Sequence, residues 1–273
     1  MKLKLMYITN DPQVAKIADR AGVDRVFIDL ETVGKEQRQG GMNTVQSHHT
    51  TDDVKQIRTV LRNAELLVRV NPIHEGSEKE INTVVENGAD ILMLPYFQNK
   101  EQVQTFLSYV NRRVKTILLV ETPEAVEHLD EILSLDGIDE CHIGLNDLHL
   151  GYKMKFMFEL LADGTVDRIT EKFKCHGIPF GFGGIARIGQ GTLPAERILA
   201  EHIRIGSQAV ILSRSFCNAD MIRDYLQIEH LFTSEIKKMR ETESTLRGES
   251  AQYFEQNHRS VQKIVNQITE SIE

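Results

Sequence analysis

Thr116-Ile-Leu-Leu-Val-Glu121-Thr-Pro123 and Ile138-Asp-Glu-Cys-His-Ile-Gly-Leu-Asn-Asp147-Leu148 decide how this chain folds. Each is a short run rich in Ile, Leu and Val, ended by Pro, Gly or Asn, and each leads to a carboxylate. A run that is apolar at nearly every position marks a strand buried on both faces, as in a parallel sheet. As neighbouring strands of one barrel, the two runs bring Glu121 and Asp147 out at the same C-terminal rim. Two bare anions held close repel each other, and a divalent cation between them resolves the conflict.

Outward from this pair, similar runs recur with amphipathic stretches between them. They are Leu3–Ile8, Arg25–Leu30, Glu65–Val70, Asp90–Leu94, Thr116–Val120, Asp139–Leu145, Pro179–Gly183 and Ala209–Ser213. Helix starts are marked by Thr51-Asp-Asp-Val and by Pro123, and Gly22, Gly88, Gly137 and Gly177 fall just before strands, where helices stop. Strict β/α alternation implies a parallel sheet, and eight units without a change of pattern favour a closed (β/α)₈ TIM barrel over an open doubly wound sheet. Two connections are long: Glu31–Thr50, polar and glycine-bearing, and Asn146–Gly177, read as two helices split at Asp163-Gly164. Both leave the rim where barrels keep their chemistry.

The 273 residues suit one barrel of ~250 residues with an extension, not a barrel plus a second domain. The chain is therefore expected to be a single domain over 1–273, with 220–273 a C-terminal helical extension and candidate oligomerisation element. Within it, Met221, Tyr225, Ile228, Phe232, Ile236 and Met239 form one helical stripe, and Phe254, Val261, Ile264, Val265, Ile268 and Ile272 another. Packing on the barrel wall and, for the second stripe, docking on a neighbouring subunit explain the pattern equally well.

A net charge of −8 argues against nucleic acid or an anionic membrane as the main partner. Cys141, Cys175 and Cys217 lie far apart and read as reduced, structural thiols. The Met1–Pro12 stretch lacks the apolar core of a signal peptide, and no run approaches the ~20 apolar residues of a membrane span. The expected location is the cytoplasm.

Chemistry-bearing residues gather at the predicted strand ends: Asp29 and Glu31 after strand two, Arg69 after strand three, Glu121 after strand five, Asp147 after strand six and Arg214 after strand eight. Any one alone is explained by a structural salt bridge; together they favour a site. Oxygen donors without a His or Cys cluster suit Mg²⁺ or Mn²⁺, and two protein carboxylates leave positions for the carboxylate and ketone oxygens of a 2-keto acid. Arg69 is the candidate to meet the oxyanion formed when the adjacent carbon loses a proton or a bond, and equally the partner of Asp29 or Glu31. A Schiff-base mechanism needs a lysine deep in the barrel mouth; Lys2, Lys4 and Lys115 belong to the opposite half and Lys35 to a loop. After strand seven, Gly183, Gly184 and Arg187, with Arg214, make a candidate site for a phosphorylated or carboxylated substrate arm, although glycine clusters also serve tight turns and close packing. His202 is expected on the seventh helix in a structural role.

Phe27-Ile-Asp-Leu-Glu31, Val68-Arg-Val-Asn71, Gly88-Ala-Asp-Ile-Leu-Met-Leu-Pro95, Leu118-Leu-Val-Glu-Thr122 and His142-Ile-Gly-Leu-Asn-Asp-Leu148 occur in this order. Together they resemble the metal-dependent hydroxy-ketoacid aldolase/citrate lyase β-subunit family over roughly Asp24 to Arg214. The resemblance implies a (β/α)₈ barrel, Glu121 and Asp147 as metal ligands, and Arg69 as the enolate-stabilising arginine. Asp29 and Glu31 would support metal-bound water or the base. It also implies a homo-oligomer, often with an exchanged C-terminal helix, acting on a 2-keto acid and an aldehyde. Aldolase members usually carry His immediately after the strand-two acidic motif and lyase members Asp; here Thr32 stands there. His48 and His49, in the second loop, are replacement candidates for acid–base work, against the plain alternative of an inert histidine pair; metal-bound water is the other candidate base. The leading expectation is a class II aldolase; the alternatives are a CoA-thioester lyase of the citrate lyase β type and a metal-binding, non-catalytic barrel subunit.

Overall fold

A computed structural model describes residues 2–33, 49–219, 221–222 and 224–272. Eight parallel strands close into a barrel in chain order: β1 (Lys4–Ile8), β2 (Arg25–Asp29), β3 (Glu65–Arg69), β4 (Ile91–Leu94), β5 (Lys115–Val120), β6 (Glu140–Ile143), β7 (Phe180–Ile185) and β8 (Ala209–Leu212). β8 pairs back onto β1. This is the (β/α)₈ barrel expected from the sequence, with strand ends displaced by a residue or two.

The runs are continuously apolar because each strand has two buried faces. Outward residues such as Val26, Ile28, Val68 and Leu118 join the core under the helices. Inward residues Met6, Phe27, Leu67, Ile91 and Ile117 fill the barrel. The β2–β3 register pairs Arg25 with Glu65, Phe27 with Leu67 and Asp29 with Arg69, giving a charged, an apolar and a charged layer from bottom to top. In the bottom layer Arg25 donates to Glu140 at 2.7 and 2.5 Å and to Glu65 at 3.0 Å. Lys4 backs Glu140 at 2.8 Å and Lys115 backs Glu65 at 2.6 Å. Burial alone would push the Glu140 carboxyl up; the hydrogen bonds and charge of Arg25, with Lys4, outweigh it and hold it at about 2.

Helices fill the connections, beginning with Pro12–Ala21, capped by Asp11 and closed by Gly22 in the left-handed region (φ 95°), which only glycine enters without strain. The Thr51–Val60 helix opens with a capping box between Thr50 and Asp53. The β6–β7 connection departs from the sequence expectation: it holds three helices, Leu145–Gly151, Glu159–Ala162 and Thr165–Cys175. The expected split at Asp163-Gly164 is present, and a further break lies between Gly151 and Glu159, where Lys153 takes a φ of 58° that no α-helix continues through.

The C-terminal helices, Tyr225–Leu246 and Ala251–Ser271, both pack within this chain, the first on Pro12–Ala21 and the second on Ala195–Ile205 and Glu159–Ala162. Ile228, Phe232, Ile236 and Met239 are buried as the first stripe predicts, but Met221, which precedes the helix, and Tyr225, its first residue, are 78% and 45% exposed. Val261 and Val265 anchor the second stripe, with buried Asn257 bonded to Glu201 and to the Arg197 carbonyl. No helix among the described residues is long and apolar enough to cross a membrane.

Candidate active site

β2 and β3 end side by side, so the alternation that points Phe27 and Leu67 inward also points Asp29 and Arg69 into the barrel mouth. Arg69 Nε and Nη2 donate to Asp29 Oδ1 and Oδ2, each at 2.9 Å, and Nη1 lies 3.3 Å from Glu31 Oε2. The guanidinium also rests 5.7 Å from the centroid of the Phe27 ring. Asp29 and Glu31 are only 2% and 3% exposed. Burial works against the Arg69 charge, but Asp29 and Glu31 outweigh it and raise its pKa, so the cation is permanent.

Glu121 follows β5 and is 3% exposed. Its Oε1 accepts the Tyr96 backbone N–H at 2.9 Å. Tyr96 takes φ 48°, a conformation that is an outlier for a bulky residue and that places its N–H on this carboxylate. Opposite, Gly144 leaves room for Glu121: a Cβ there would stand 2.6 Å from Oε2. Asp147 lies in the first turn of the Leu145–Gly151 helix that Gly144 opens. Burial first, then the charges of Asp147 and Glu31, push the Glu121 carboxyl well above its ordinary range, with Arg69 and the Tyr96 N–H opposing them in part. Glu121 and Asp147 line one cavity, and their charges repel.

A cavity of about 820 Å³ opens over this centre. It is lined by Asp29, His49, Arg69, Glu121 and Asp147, and also by Gly183, Gly184 and Arg214. Arg187 is not among the described lining residues; its Nε donates to the Ser215 carbonyl at 3.3 Å, bracing the segment next to Arg214. His49 accepts the Asp29 backbone N–H on Nδ1 at 3.0 Å. His48 lies outside the described residues. Thr32 is bound to the segment just after β3: Asn71 Oδ1 accepts the N–H groups of Thr32 and Val33 at 2.9 and 3.0 Å. Among the described residues, no three His, Cys, Asp or Glu side chains form a group that could hold a metal ion.

Nothing in the sequence assigns a role to Tyr96, Gly144 or His142. His142 lines the cavity from inside the barrel, its Nε2 facing the Gly183 carbonyl at 3.2 Å and its buried Nδ1 without a partner. Burial holds its pKa down at about 4, so the ring is neutral. Gly181 is the register partner of His142, and a side chain there would strike that ring. Close packing thus accounts for the first glycine of the strand-seven cluster, while Gly183 and Gly184 face the cavity. His202, on the Ala195–Ile205 helix, is buried and stacked on Phe182 at 3.8 Å, away from the cavity.

The model of the HpcH/HpaI aldolase/citrate lyase family matches residues 3–170. Curated relatives named 2-keto-3-deoxy-L-rhamnonate aldolase, from Escherichia coli (strain K12) and Shigella sonnei (strain Ss046), are 28% identical over 171 residues. The matched region is 51% of this chain and 58% of each relative, so the chain spans little more than half their length. Among solved structures, the HpcH/HpaI aldolase from Desulfitobacterium hafniense DCB-2 superposes with a TM-score of 0.62 at 16% identity, covering 88% of this chain and 93% of that one. The citrate synthase SbnG gives 0.60 at 16% identity, covering 89% and 95%. At such identities the structures speak for the barrel alone. The family match covers more than half of the chain and contains the Asp29, Arg69, Glu121 and Asp147 motifs. The chain belongs to the HpcH/HpaI aldolase/citrate lyase family.

Proposed function

We propose that this protein is a divalent-metal-dependent carbon–carbon lyase of the class II aldolase type, cleaving or forming a 4-hydroxy-2-keto acid through a pyruvate enolate. One observation carries it: a largely buried guanidinium, fixed by Asp29 and Glu31, shares a cavity with two mutually repelling carboxylates, buried Glu121 and half-buried Asp147. The donor set fits a hard cation. Its oxygens are anionic, and the repulsion that raises the proton affinity of Glu121 is relieved equally well by Mg²⁺ or Mn²⁺. Bound by Glu121 and Asp147, that ion supplies Lewis acidity toward a ketone oxygen.

The rest follows from this chain's own residues. In the cleavage direction the 4-hydroxyl gives its proton to a carboxylate of the Asp29–Glu31 pair. The C3–C4 bond breaks, the aldehyde departs, and the electron pair moves through C3 onto the ketone oxygen. Arg69 N–H groups meet the charge gathering there; being permanently charged, the guanidinium stabilises without giving up a proton. The carboxyl then returns the proton to C3, forming the methyl group of pyruvate. Gly183, Gly184 and Arg214 line the same cavity and are the residues we assign to the acceptor arm. Pyruvate release from 4-hydroxy-2-ketopentanoate, measured with Mg²⁺ and with chelator, tests the proposal. Metal-dependent release is expected; metal-independent release would count against it.

A further inference from the structure

We propose that His49 acts on the acceptor carbonyl as a fixed, neutral hydrogen-bond donor through Nε2, and not as the base of the reaction. This rests on the aldolase function proposed above. His49 lines the same cavity as Arg69 and Glu121, and its Nδ1 accepts the backbone N–H of Asp29 at 3.0 Å. An N–H donor requires a lone pair on Nδ1, so the single proton of the neutral ring is on Nε2. The opposite tautomer and the imidazolium both carry a hydrogen on Nδ1, which would face the Asp29 N–H. A general base, by contrast, needs a lone pair at the atom facing substrate. The contact to Asp29 denies it one.

The donor is placed by the same residue that places the enolate's arginine. Asp29 holds His49 through its backbone and Arg69 through both carboxylate oxygens. One residue therefore fixes two donors relative to each other, Arg69 for the enolate oxygen and His49 for the oxygen of the aldehyde. When the enolate carbon attacks the aldehyde, the carbonyl π pair moves to that oxygen, which then takes its proton from the protonated Asp29–Glu31 pair. His49 keeps its proton throughout. A neutral donor aimed at developing negative charge lowers the barrier without changing the proton count. His49 thereby supplies a polar contact on the acceptor side that Thr32, bound to Asn71, is not free to make.

The test uses the full chain labelled with ¹⁵N and has two arms. Two-bond ¹H–¹⁵N correlations, with the His49 signal assigned by its loss in H49Q, report the tautomer. A neutral ring with its proton on Nε2 is expected at about pH 8; an Nδ1–H ring overturns the proposal. The second arm compares pyruvate methyl exchange in D₂O, which involves no acceptor, with condensation of pyruvate and glycolaldehyde. In H49L the ratio of condensation to exchange should fall about 10²-fold, and H49Q, which restores an N–H donor, should recover part of it. Equal losses in both reactions would make His49 the base and overturn the proposal. Absence of exchange in the unaltered protein would instead remove the aldolase function beneath it.

Discussion

Asp29 and Arg69 are register partners across β2 and β3, and the same two residues close a two-point ion pair at 2.9 Å on each arm. The barrel's hydrogen-bond ladder therefore sets the angle of the guanidinium, and no loop has to be ordered to aim it. Replacing Asp29 by Asn keeps the shape but leaves a buried cation with Glu31 as its remaining strong partner. A loss of about 3 kcal/mol in urea unfolding is expected, along with a fall of about 10²-fold in pyruvate methyl exchange. Arg69→Lys should lose at least as much exchange, since an ammonium cannot reproduce the fork.

Glu121 and Asp147 should show opposite signs with and without metal. Because burial and the neighbouring charges strain the Glu121 carboxylate, Glu121→Gln should leave the metal-free protein as stable as before or more so. In the unaltered protein Mg²⁺ or Mn²⁺ at about 100 times its dissociation constant should add about 2.7 kcal/mol. That gain should vanish in Glu121→Gln and Asp147→Asn. Thermal melts with and without metal measure both effects.

Gly144 should tolerate no side chain. A Cβ at this position stands 2.6 Å from Glu121 Oε2 and 2.8 Å from Glu121 Cβ, so Gly144→Ala must displace the carboxylate or the helix that carries Asp147. Metal affinity from calorimetric titration should fall at least about tenfold, with a packing cost of about 1–3 kcal/mol.

Stability should decline on mild acidification through buried histidines. Burial lowers the folded-state pKa of His142 to about 4 and moves His202 in the same direction. Between about pH 6.5 and pH 4 the unfolded chain binds protons that the native rings refuse, so stability is complete above about 6.5 and falls with pH. For His142 alone the loss approaches about 3 kcal/mol by pH 4. Urea midpoints should follow this slope, and His142→Phe should flatten part of it.

All eight strands could be read from the sequence because parallel strands buried on both faces appear as unbroken apolar runs. The rim residues could be read because they end those runs. Contacts between distant strands could not: that His142 points inward against Gly181 depends on register, and the Tyr96 contact with Glu121 depends on a backbone angle no propensity announces. Helix count failed in the β6–β7 connection for the same reason, since Lys153 at φ 58° carries no composition signal. Met221 matched the spacing of its stripe yet precedes the helix, so its side chain meets solvent instead of the barrel.

The most direct measurement is exchange of the pyruvate methyl protons in D₂O, followed by ¹H NMR with Mg²⁺ present and after chelation. It needs the carboxylate pair, Arg69 and a proton acceptor, but no knowledge of the aldehyde. Exchange that requires the metal and disappears in Glu121→Gln is the predicted result. Metal binding evident in the melts, with exchange no faster than in buffer, would contradict the enolate chemistry assigned to this site.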